Sequence, residues 1–174
     1  MYTLIVEHQD KIKKAIKILE EKLEVKISYS KNNFQISGEE YSEFLCGEII
    51  KATDFGFNVE DALLLKREDF SLQFLNIKDY SKKENLENVR ARIIGANGRA
   101  KGTIEELTGA IIVVNTNQIG IIVRADHLDS VVQAIILIIH GSKHANVFAY
   151  LEKQNVLLRK FNDEDLGLRK IRKK

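Results

Sequence analysis

The stretch with the clearest chemical character covers residues 92–109 and reads RIIGANGRAKGTIEELTG. Two glycines three positions apart, Gly95 and Gly98, interrupt a helical pattern, although a glycine in a helix interior costs about 1 kcal/mol relative to alanine. No acidic residue lies between positions 89 and 103, whereas four basic residues flank the interruption: Arg90, Arg92, Arg99 and Lys101. Open backbone N–H groups beside positive side chains bind phosphate. The segment therefore predicts a phosphate-bearing ligand.

Three kinds of glycine-rich phosphate loop can be compared with this stretch. A P-loop requires lysine directly after its last glycine, whereas here Lys101 precedes Gly102. A dinucleotide-binding turn requires Gly-x-Gly-x-x-Gly after a strand, whereas here the preceding residues are helical in pattern. The remaining possibility is the Gly-x-x-Gly turn of a K-homology (KH) module, which joins two short helices and clamps about four nucleotides by their backbone.

The KH interpretation assigns a role to each part of the stretch. The second helix starts at the loop, so its N-terminal amides and positive dipole end face the phosphates. Arg92, Arg99 and Lys101 add positive charge, and Ile94 and Ile112 are expected to pack against bases. An alternative stays open, in which the two glycines only permit a helix–turn–helix corner that binds nothing.

Side chains capable of catalysis or metal binding do not form a recognisable constellation. Glu105 and Glu106 are adjacent and therefore point in different directions on a helix, and Ser142 lacks the context of a nucleophile. The lone Cys46 lies in an apolar helical pattern and is expected to be a core residue. The four histidines do not share a helix face with other ligands: they are His8, His127, His140 and His144. We predict no enzymatic activity, no catalytic residue, no metal and no cofactor.

The elements that position these residues recur in two copies. Residues 70–140 read as strand, helix, GxxG, helix, strand, strand and long helix. Ile27 corresponds to Ile112 at an offset of 85 residues, and Asn58 corresponds to Asn146 at an offset of 88. Two copies of one α+β unit are predicted, each a three-stranded antiparallel sheet with helices packed on one face.

Composition limits the class of protein. The chain has 174 residues, of which 44% are hydrophobic and 30% charged, and it contains one cysteine. It has no run long enough to span a membrane and no signal-peptide pattern, so we expect a cytoplasmic protein without a membrane partner. The net charge is +2, but residues 159–174 carry +4, so residues 1–158 carry −2. The basic end includes Arg159 and Lys160 and predicts an electrostatic extension of an RNA site.

Three sequence blocks resemble one known family. They are IIGANGR, IEELTG and HGSKHANVFAYLEK. With the order of elements, they resemble the archaeal tandem-KH RNA-binding proteins, which are similar to the eukaryotic small-subunit assembly factor Partner of Nob One. The resemblance implies two type I KH units and binding to single-stranded small-subunit rRNA near its 3′ end. It also implies a role in ribosome biogenesis and rRNA processing, on the pre-small ribosomal subunit and with the endonuclease that trims that end.

Two departures from the family qualify the expectation. The family usually has a basic residue directly after the first loop glycine, where this chain has Ala96, which removes one phosphate contact. The first copy runs from its strand through His8 straight into one helix, with no glycine before Gly38. We therefore expect the first unit to be degenerate, without a GxxG loop. Both departures favour an alternative function, a protein–protein adaptor that uses KH folds without binding RNA.

The predicted organisation follows from these points. Residues 1–68 form the degenerate KH-like domain, residues 69–160 the KH domain with its GxxG loop and C-terminal helix, and residues 161–174 a basic tail. Lys143, His144 and Phe148 at the last helix are expected to face RNA or protein, although Phe148 also suits a core position. The predicted RNA-binding residues are Arg92, Ile94, Gly95, Ala96, Asn97, Gly98, Arg99, Lys101, Ile112, Lys143, His144, Arg159 and Lys160.

Overall fold

A computed structural model describes residues 1–82 and 85–165, with side chains up to residue 161. The described chain forms six strands and eight α-helices. The strands are β1 (Tyr2–Ile5), β2 (Lys26–Ser30), β3 (Asn33–Ser37), β4 (Phe70–Asn76), β5 (Ile111–Asn115) and β6 (Gln118–Arg124). The helices are α1 (Gln9–Leu23), α2 (Glu40–Phe55), α3 (Val59–Ala62), α4 (Ile77–Tyr80), α5 (Leu86–Ile94), α6 (Arg99–Thr108), α7 (Ala125–Ile139) and α8 (His144–Asp165).

Two three-stranded antiparallel sheets confirm the predicted α+β class. The first sheet has the order β1-β3-β2, and the second has the order β4-β6-β5. The hairpins β2–β3 and β5–β6 have corresponding registers, since Lys26 pairs with Ser37 and Ile111 pairs with Ile122. Strand β2 and strand β5 begin and end 85 residues apart, as the internal repeat predicts.

Helix α1 shows how the apolar spacing of the first repeat produces structure. Ile12, Leu19 and Leu23 recur at helical spacing, and all three are buried. They join a core that also contains Phe34 and Ile36 from the middle strand of the sheet. Burial of each such side chain contributes about 1.5–3 kcal/mol, so this face determines where α1 packs.

The described chain divides into two compact units. The first combines Met1–Leu75 with Ile111–Ile122, and the second combines Asn76–Ala110 with the residues from Val123 onward. The second sheet therefore belongs largely to the first unit, and Ile122 lies in the same apolar cluster as Phe57 and Leu65. The predicted boundary between residues 68 and 69 separates the two repeats, differs from this division, and stays a prediction.

Close packing within the first unit depends on a glycine in β6. A Cβ atom at Gly120 would lie 2.6 Å from Cε2 of Phe57 and 2.8 Å from Cε1 of Phe55. These distances are shorter than any ordinary contact between carbon atoms, so the strand and the two rings approach only because position 120 has no side chain.

Several predicted details are wrong at the level of single residues. The apolar pattern of residues 39–53 predicts a helix with Phe44 in the same apolar set as Cys46. Phe44 does not join the buried face of α2, since it is 55% exposed while Cys46, two positions on, is fully buried. Asp126 is predicted from its residue type as the N-cap of the long helix that ends near His140, but the helix already begins at Ala125 and Arg124 occupies the cap position. Helix α8 runs to Asp165, past the predicted start of the tail at residue 161, and the tail itself stays a prediction. The other tail residues, 166–174, lie outside the described residues.

No helix within residues 1–82 and 85–165 has the length and apolar character needed to cross a bilayer.

Candidate nucleic-acid interface

The loop between α5 and α6 has a backbone that depends on its first glycine. Gly95 adopts φ 76° and ψ 172°, a region that only glycine populates readily. A Cβ atom there would lie 2.6 Å from Cβ of Ala100 and 2.7 Å from its backbone N. The missing side chain therefore lets the loop fold back against the first turn of α6.

The second half of the loop, Asn97 and Gly98, has a left-handed backbone that leads directly into α6. Asn97 has φ 53° and ψ 30°, and Gly98 has φ 76° and ψ 9°, so two successive residues are left-handed. A Cβ atom at Gly98 would meet nothing within 4 Å. Glycine is therefore favoured here by the left-handed backbone and not by close packing. The turn leaves the backbone at Ala96 and Asn97 exposed to a ligand.

The start of α6 presents uncompensated positive charge. Gly98 occupies the N-cap without a side-chain hydrogen bond, and the first turn contains no acidic residue. The free N–H groups and the positive end of the helix dipole favour an anion there. Arg99 is exposed, and none of the described carboxylates pairs with it. Lys101 is partly neutralised, because its Nζ lies 2.9 Å from Oε1 of Glu105.

A groove of about 320 Å³ runs between this loop and the start of α8. The loop side is formed by Gly95, Ala96 and Arg99, and the opposite side by the rings of His144 and Phe148. The two ring centroids are 6.1 Å apart at an interplanar angle of 26°. The groove therefore combines a polar, positive wall with an aromatic wall.

Helices α6 and α8 lie side by side and run in the same direction. His144 and Phe148, near the start of α8, line the groove with Arg99 and Thr103 of α6. Further along, Nδ2 of Asn155 donates a hydrogen bond of 2.7 Å to the carbonyl of Leu107, near the end of α6. Contacts at both ends fix the aromatic wall relative to the loop.

Arg92 has a structural role within the fold, and its predicted phosphate contact stays a prediction. Its guanidinium donates a hydrogen bond of 2.8 Å to the carbonyl of Ser142 in the α7–α8 turn. Its own carbonyl accepts a hydrogen bond of 2.8 Å from Nε2 of His144, which must carry a proton because a carbonyl cannot donate. We call these two bonds the Arg92 clasp. The clasp joins the last turn of α5, directly before the loop, to the start of α8.

The remaining predicted residues divide into exposed and buried positions. Ile94 is 37% exposed and keeps an apolar surface for a base. Ile112 is 1% exposed, so its side chain offers no surface to a base, and it is removed from the candidate contacts. Lys143 is exposed next to the aromatic wall. Arg159 and Lys160 are exposed on α8, beyond Asn155 and therefore at the far end of α6 from the loop.

The first repeat offers no counterpart of the loop, and its structure shows what replaces it. Residues 6–8 connect β1 directly to α1. The carboxylate of Asp54 in α2 accepts hydrogen bonds from the backbone N–H groups of Glu7, at 3.0 Å, and His8, at 2.7 Å. The carboxylate of Asp54 thus already occupies the amides that enter α1.

Neither a reactive thiol nor a metal centre is found in the described part of the chain. Cys46 is buried, and burial followed by the negative charge of Glu20 raises its pKa to about 12. A thiol in this state is protonated at neutral pH and is a poor nucleophile. Residues 1–82 and 85–165 contain no group of three or more His, Cys, Asp and Glu side chains that could hold a metal ion.

Two residues of the groove, Phe148 and Thr103, were not assigned to it from the sequence, for different reasons. His144 and Phe148 are four positions apart, a spacing that puts both rings on one helix face. The sequence did not determine whether this face meets α6 or the core, and the structure places it at the groove. Thr103 also lines the groove, and nothing in its sequence context distinguishes it from other exposed helix residues.

Two known proteins are similar to this chain in sequence. A KH domain-containing protein of Methanocaldococcus jannaschii is 31% identical over 108 residues, which cover 62% of this chain and 48% of that protein. The pre-rRNA-processing protein pno1 of Emericella nidulans is 28% identical over 110 residues, which cover 61% of this chain and 43% of that protein. The chain thus spans less than half the length of these relatives.

A solved structure resembles nearly the whole chain. It is a complex of the initiation factor subunit a/eIF2alpha, aDim2p and rRNA from Pyrococcus horikoshii. The matching chain is 28% identical, has a TM-score of 0.77, and aligns over 88% of this chain and 92% of its own length. The model of the second KH domain of PNO1, described as a eukaryotic-type KH domain (KH-domain type I), matches residues 71–156. Residues 71–156 of this chain are therefore similar to a type I KH domain of the PNO1 kind.

Proposed function

We propose that this chain is a non-enzymatic RNA-binding protein of small ribosomal subunit biogenesis, working in the cytoplasm on the pre-small ribosomal subunit. It holds single-stranded rRNA near the 3′ end of the small-subunit rRNA, in the groove between the GxxG loop and α8. The observation that carries the proposal is the pairing, across one groove, of an uncapped helix start with an aromatic wall. The names of the fungal relative and of the Pyrococcus complex support rRNA as the ligand.

Each wall of the groove matches one part of a nucleotide. The N–H groups at the start of α6 and the guanidinium of Arg99 suit phosphate oxygens. The rings of His144 and Phe148 suit a base, since stacking of a base on an aromatic side chain contributes about 1–3 kcal/mol. Ala96 places no charge at the loop, so the amides and Arg99 supply most of the attraction for phosphate in this chain.

The test introduces negative charge into the loop. The double variant Ala96→Asp, Asn97→Asp places two carboxylates where the phosphates would lie, at positions that are exposed and so tolerate the change. We expect binding to a fluorescent single-stranded oligonucleotide from the 3′ end of small-subunit rRNA to fall by a factor of about 100 or more, through repulsion and lost phosphate contacts. Binding would be followed by fluorescence anisotropy, and folding by circular dichroism.

A matched control carries the same charge change on the first repeat. Asn32→Asp with Asn33→Asp alters two exposed residues, one in the β2–β3 turn and one at the start of β3. It should leave RNA affinity within about twofold, because only long-range screened charge is added. Equal RNA binding by the loop variant and the wild-type protein would exclude the loop from RNA recognition. Preference for the 3′-end sequence is tested by competition with an oligonucleotide of scrambled sequence.

A second candidate function is an adaptor role for the first unit. Its α2 carries two exposed aromatic side chains, Tyr41 and Phe44, which flank a groove of about 290 Å³ lined with Leu65 and Leu72. Exposed aromatic residues beside an apolar groove are typical of protein-binding surfaces. We propose the maturation endonuclease, or an initiation factor subunit like the one in the Pyrococcus complex, as the partner.

Purified components separate the adaptor role from RNA binding. The variant Tyr41→Ser, Phe44→Ser should weaken binding of the purified endonuclease or initiation factor subunit about tenfold or more, since two aromatic contacts are lost. Ile18→Ser, which removes an exposed apolar side chain from α1, is the control. An adaptor that does not bind RNA would keep its partner after RNase treatment and show no affinity for the oligonucleotide.

A further inference from the structure

Helix α1 of the first repeat carries a concentrated positive charge on its solvent side. Lys11, Lys14 and Lys17 recur every three residues and are all exposed, so they form one stripe on the side of α1 that faces away from the core. We call these three side chains the lysine face. It extends over six residues, a length of about 9 Å at 1.5 Å per residue. No acidic residue lies between positions 11 and 19.

None of the described carboxylates neutralises the lysine face. Asp10 lies four positions before Lys14, and Glu21 lies four positions after Lys17, but neither carboxylate is within ion-pair distance of a lysine of the face. The carboxylate of Glu20 points elsewhere, since its Oε1 accepts a hydrogen bond of 2.8 Å from the backbone N–H of Ile27. The three ammonium groups are therefore available to an anion from outside the molecule.

The stability of α1 does not account for this charge. Side chains three positions apart on a helix are neighbours, so the three ammonium groups repel one another. Positive charge interacts favourably with the helix dipole in the last turn, but there α1 has two acidic residues, Glu20 and Glu21, against the single Lys22. A polyanion bound along the lysine face would relieve the repulsion that folding leaves in place.

The residue types of α1 indicate what kind of polyanion fits. Protein interfaces are enriched in aromatic residues and arginine and depleted in lysine, and α1 contains neither an arginine nor an aromatic residue. Sites for single-stranded nucleic acid combine positive charge with aromatic rings on which bases stack. Tyr29 of β2 lies beside α1, but its ring is engaged within the unit, with Nζ of Lys13 at 5.0 Å and the ring of Phe34 at 5.4 Å. Charge alone remains, and charge alone matches a phosphate backbone whose bases are paired.

We propose that the lysine face binds the phosphate backbone of double-helical RNA. Double-stranded DNA carries one negative charge per about 1.7 Å of its axis, and at a similar density in RNA the 9 Å of the lysine face meets about five charges. Lysine acts on phosphate as a point charge, so the contact positions a duplex and reads no sequence. The proposal goes beyond the function proposed for the GxxG loop, because it concerns the repeat that lacks this loop and a different RNA structure.

The test removes the charge and keeps the length of the side chains. The variant Lys11→Gln, Lys14→Gln, Lys17→Gln should bind a blunt RNA duplex of about 16 base pairs at least about tenfold more weakly than the wild-type protein. The slope of log K against log salt should fall by about 2–3, since three phosphate contacts are lost at about 0.9 each. Affinity for the single-stranded 3′-end oligonucleotide should stay within about twofold. Fluorescence anisotropy measures both ligands.

A matched control removes the same charge from dispersed positions. Lys22→Gln, Lys26→Gln, Lys153→Gln alters three exposed lysines outside the lysine face and should lower duplex affinity less than about threefold. Thermal unfolding of the lysine-face variant should show no loss of stability, because the substitution relieves repulsion and glutamine favours a helix about as well as lysine. A loss of stability would show that these lysines serve the fold, and it would overturn the argument from charge.

The remaining outcomes separate this proposal from its alternatives. If the wild-type protein does not bind the duplex, or if the two triple variants weaken duplex binding equally, the lysine face is overturned as a duplex site, whatever the loop binds. It is also overturned if polyglutamate at equal charge competes with the duplex as well as unlabelled duplex does, which would indicate an acidic protein as the ligand. If the wild-type protein binds the duplex through the lysine face but does not bind the single strand, the function proposed for the loop fails and this proposal stands.

Discussion

Three glycines lie within eight residues of the loop and α6, and each has a different physical role. Gly95 has a backbone conformation that excludes other residues and a neighbour, Ala100, that leaves no room for a Cβ atom. Gly98 is left-handed but open. Gly102 lies inside α6 with ordinary helical geometry and free space around it. The pattern GxxG treats the first two as equivalent, whereas the structure does not.

Alanine substitutions at these positions should therefore affect stability in different directions. Gly95→Ala should cost about 3 kcal/mol or more, from backbone strain and overlap with Ala100. Gly98→Ala should cost about 1–2 kcal/mol, the usual penalty for a left-handed alanine. Gly102→Ala should stabilise the protein by about 0.5–1 kcal/mol, because alanine favours a helix interior. Urea unfolding followed by circular dichroism measures all three, and equal losses for the first two would contradict the loop geometry.

The arginines that flank the loop are equally distinct. Arg92 bonds to the carbonyl of Ser142, so Arg92→Gln should destabilise the protein by about 1.5–3 kcal/mol, the range for hydrogen bonds to a charged group. Arg99 is exposed, so Arg99→Gln should leave stability unchanged and lower the salt slope of RNA binding by about 0.7. Thermal unfolding and RNA titration at several salt concentrations check both. If Arg92→Gln alters the salt slope as Arg99→Gln does, Arg92 contacts phosphate after all.

At the scale of elements, the sequence predicted most of the strands and helices because their apolar periodicity is strong. The spacing of Ile12, Ile16, Leu19 and Leu23 predicts a helix over residues 9–23, which are the observed bounds of α1, and β2 and β5 follow the predicted offset. The exposure of Phe44 was not predicted, because an apolar residue in a helix does not by itself reveal which side of the helix packs against the core. The Arg92 clasp was not predicted, because its two bonds join residues separated by 50 and by 52 positions. Each bond pairs a side chain with a backbone carbonyl, and neither group contributes to a periodic pattern.

The connection from β1 to α1 gives a prediction about the element that replaces the loop in the first repeat. Asp54→Ala removes the carboxylate that accepts hydrogen bonds from the amides of Glu7 and His8. Because hydrogen bonds to a charged group contribute about 1.5–3 kcal/mol, we expect the substitution to lower the free energy of unfolding by about that amount. RNA affinity should stay unchanged, because no GxxG turn exists there to use the freed amides. Glu21→Gln, at an exposed position of α1, removes the same charge as a control.

A gain of RNA affinity in Asp54→Ala would show that the carboxylate masks an anion site at the start of α1. An unchanged free energy of unfolding would show that water replaces the carboxylate at little cost. Both results are measured on the full chain, by urea unfolding and by oligonucleotide titration.

At the scale of the whole molecule, the two repeats do not have separate cores. Ile122 of β6 is fully buried in a cluster with Phe57 and Leu65 of the first repeat. Ile111 and Val113 of β5 pack against the same cluster. The repeat in the sequence therefore describes how the chain is composed, whereas the apolar cluster describes which residues fold together. Offsets between similar residues in the sequence reveal the repeat, but they carry no information on which residues share a core.

A fragment containing only residues 69–160 tests this difference. It keeps the GxxG loop and both helices of the groove, but it loses every apolar side chain that residues 1–68 supply to the cluster. Burial of an apolar side chain contributes about 1.5–3 kcal/mol, and Ile111, Val113 and Ile122 would be uncovered together, against a typical domain stability of about 5–15 kcal/mol. We therefore expect the fragment to be partly folded or associated at concentrations where the full chain unfolds cooperatively.

Size-exclusion chromatography and the dispersion of amide proton resonances measure this directly. The full chain with Ile122→Ala is an intermediate case, since it keeps every element and loses about 2–5 kcal/mol through one cavity in the shared cluster. A monomeric fragment with sharp, dispersed resonances would establish the boundary at residues 68 and 69 as a true domain boundary. An associated fragment would mean that the first repeat completes the fold that carries the GxxG loop.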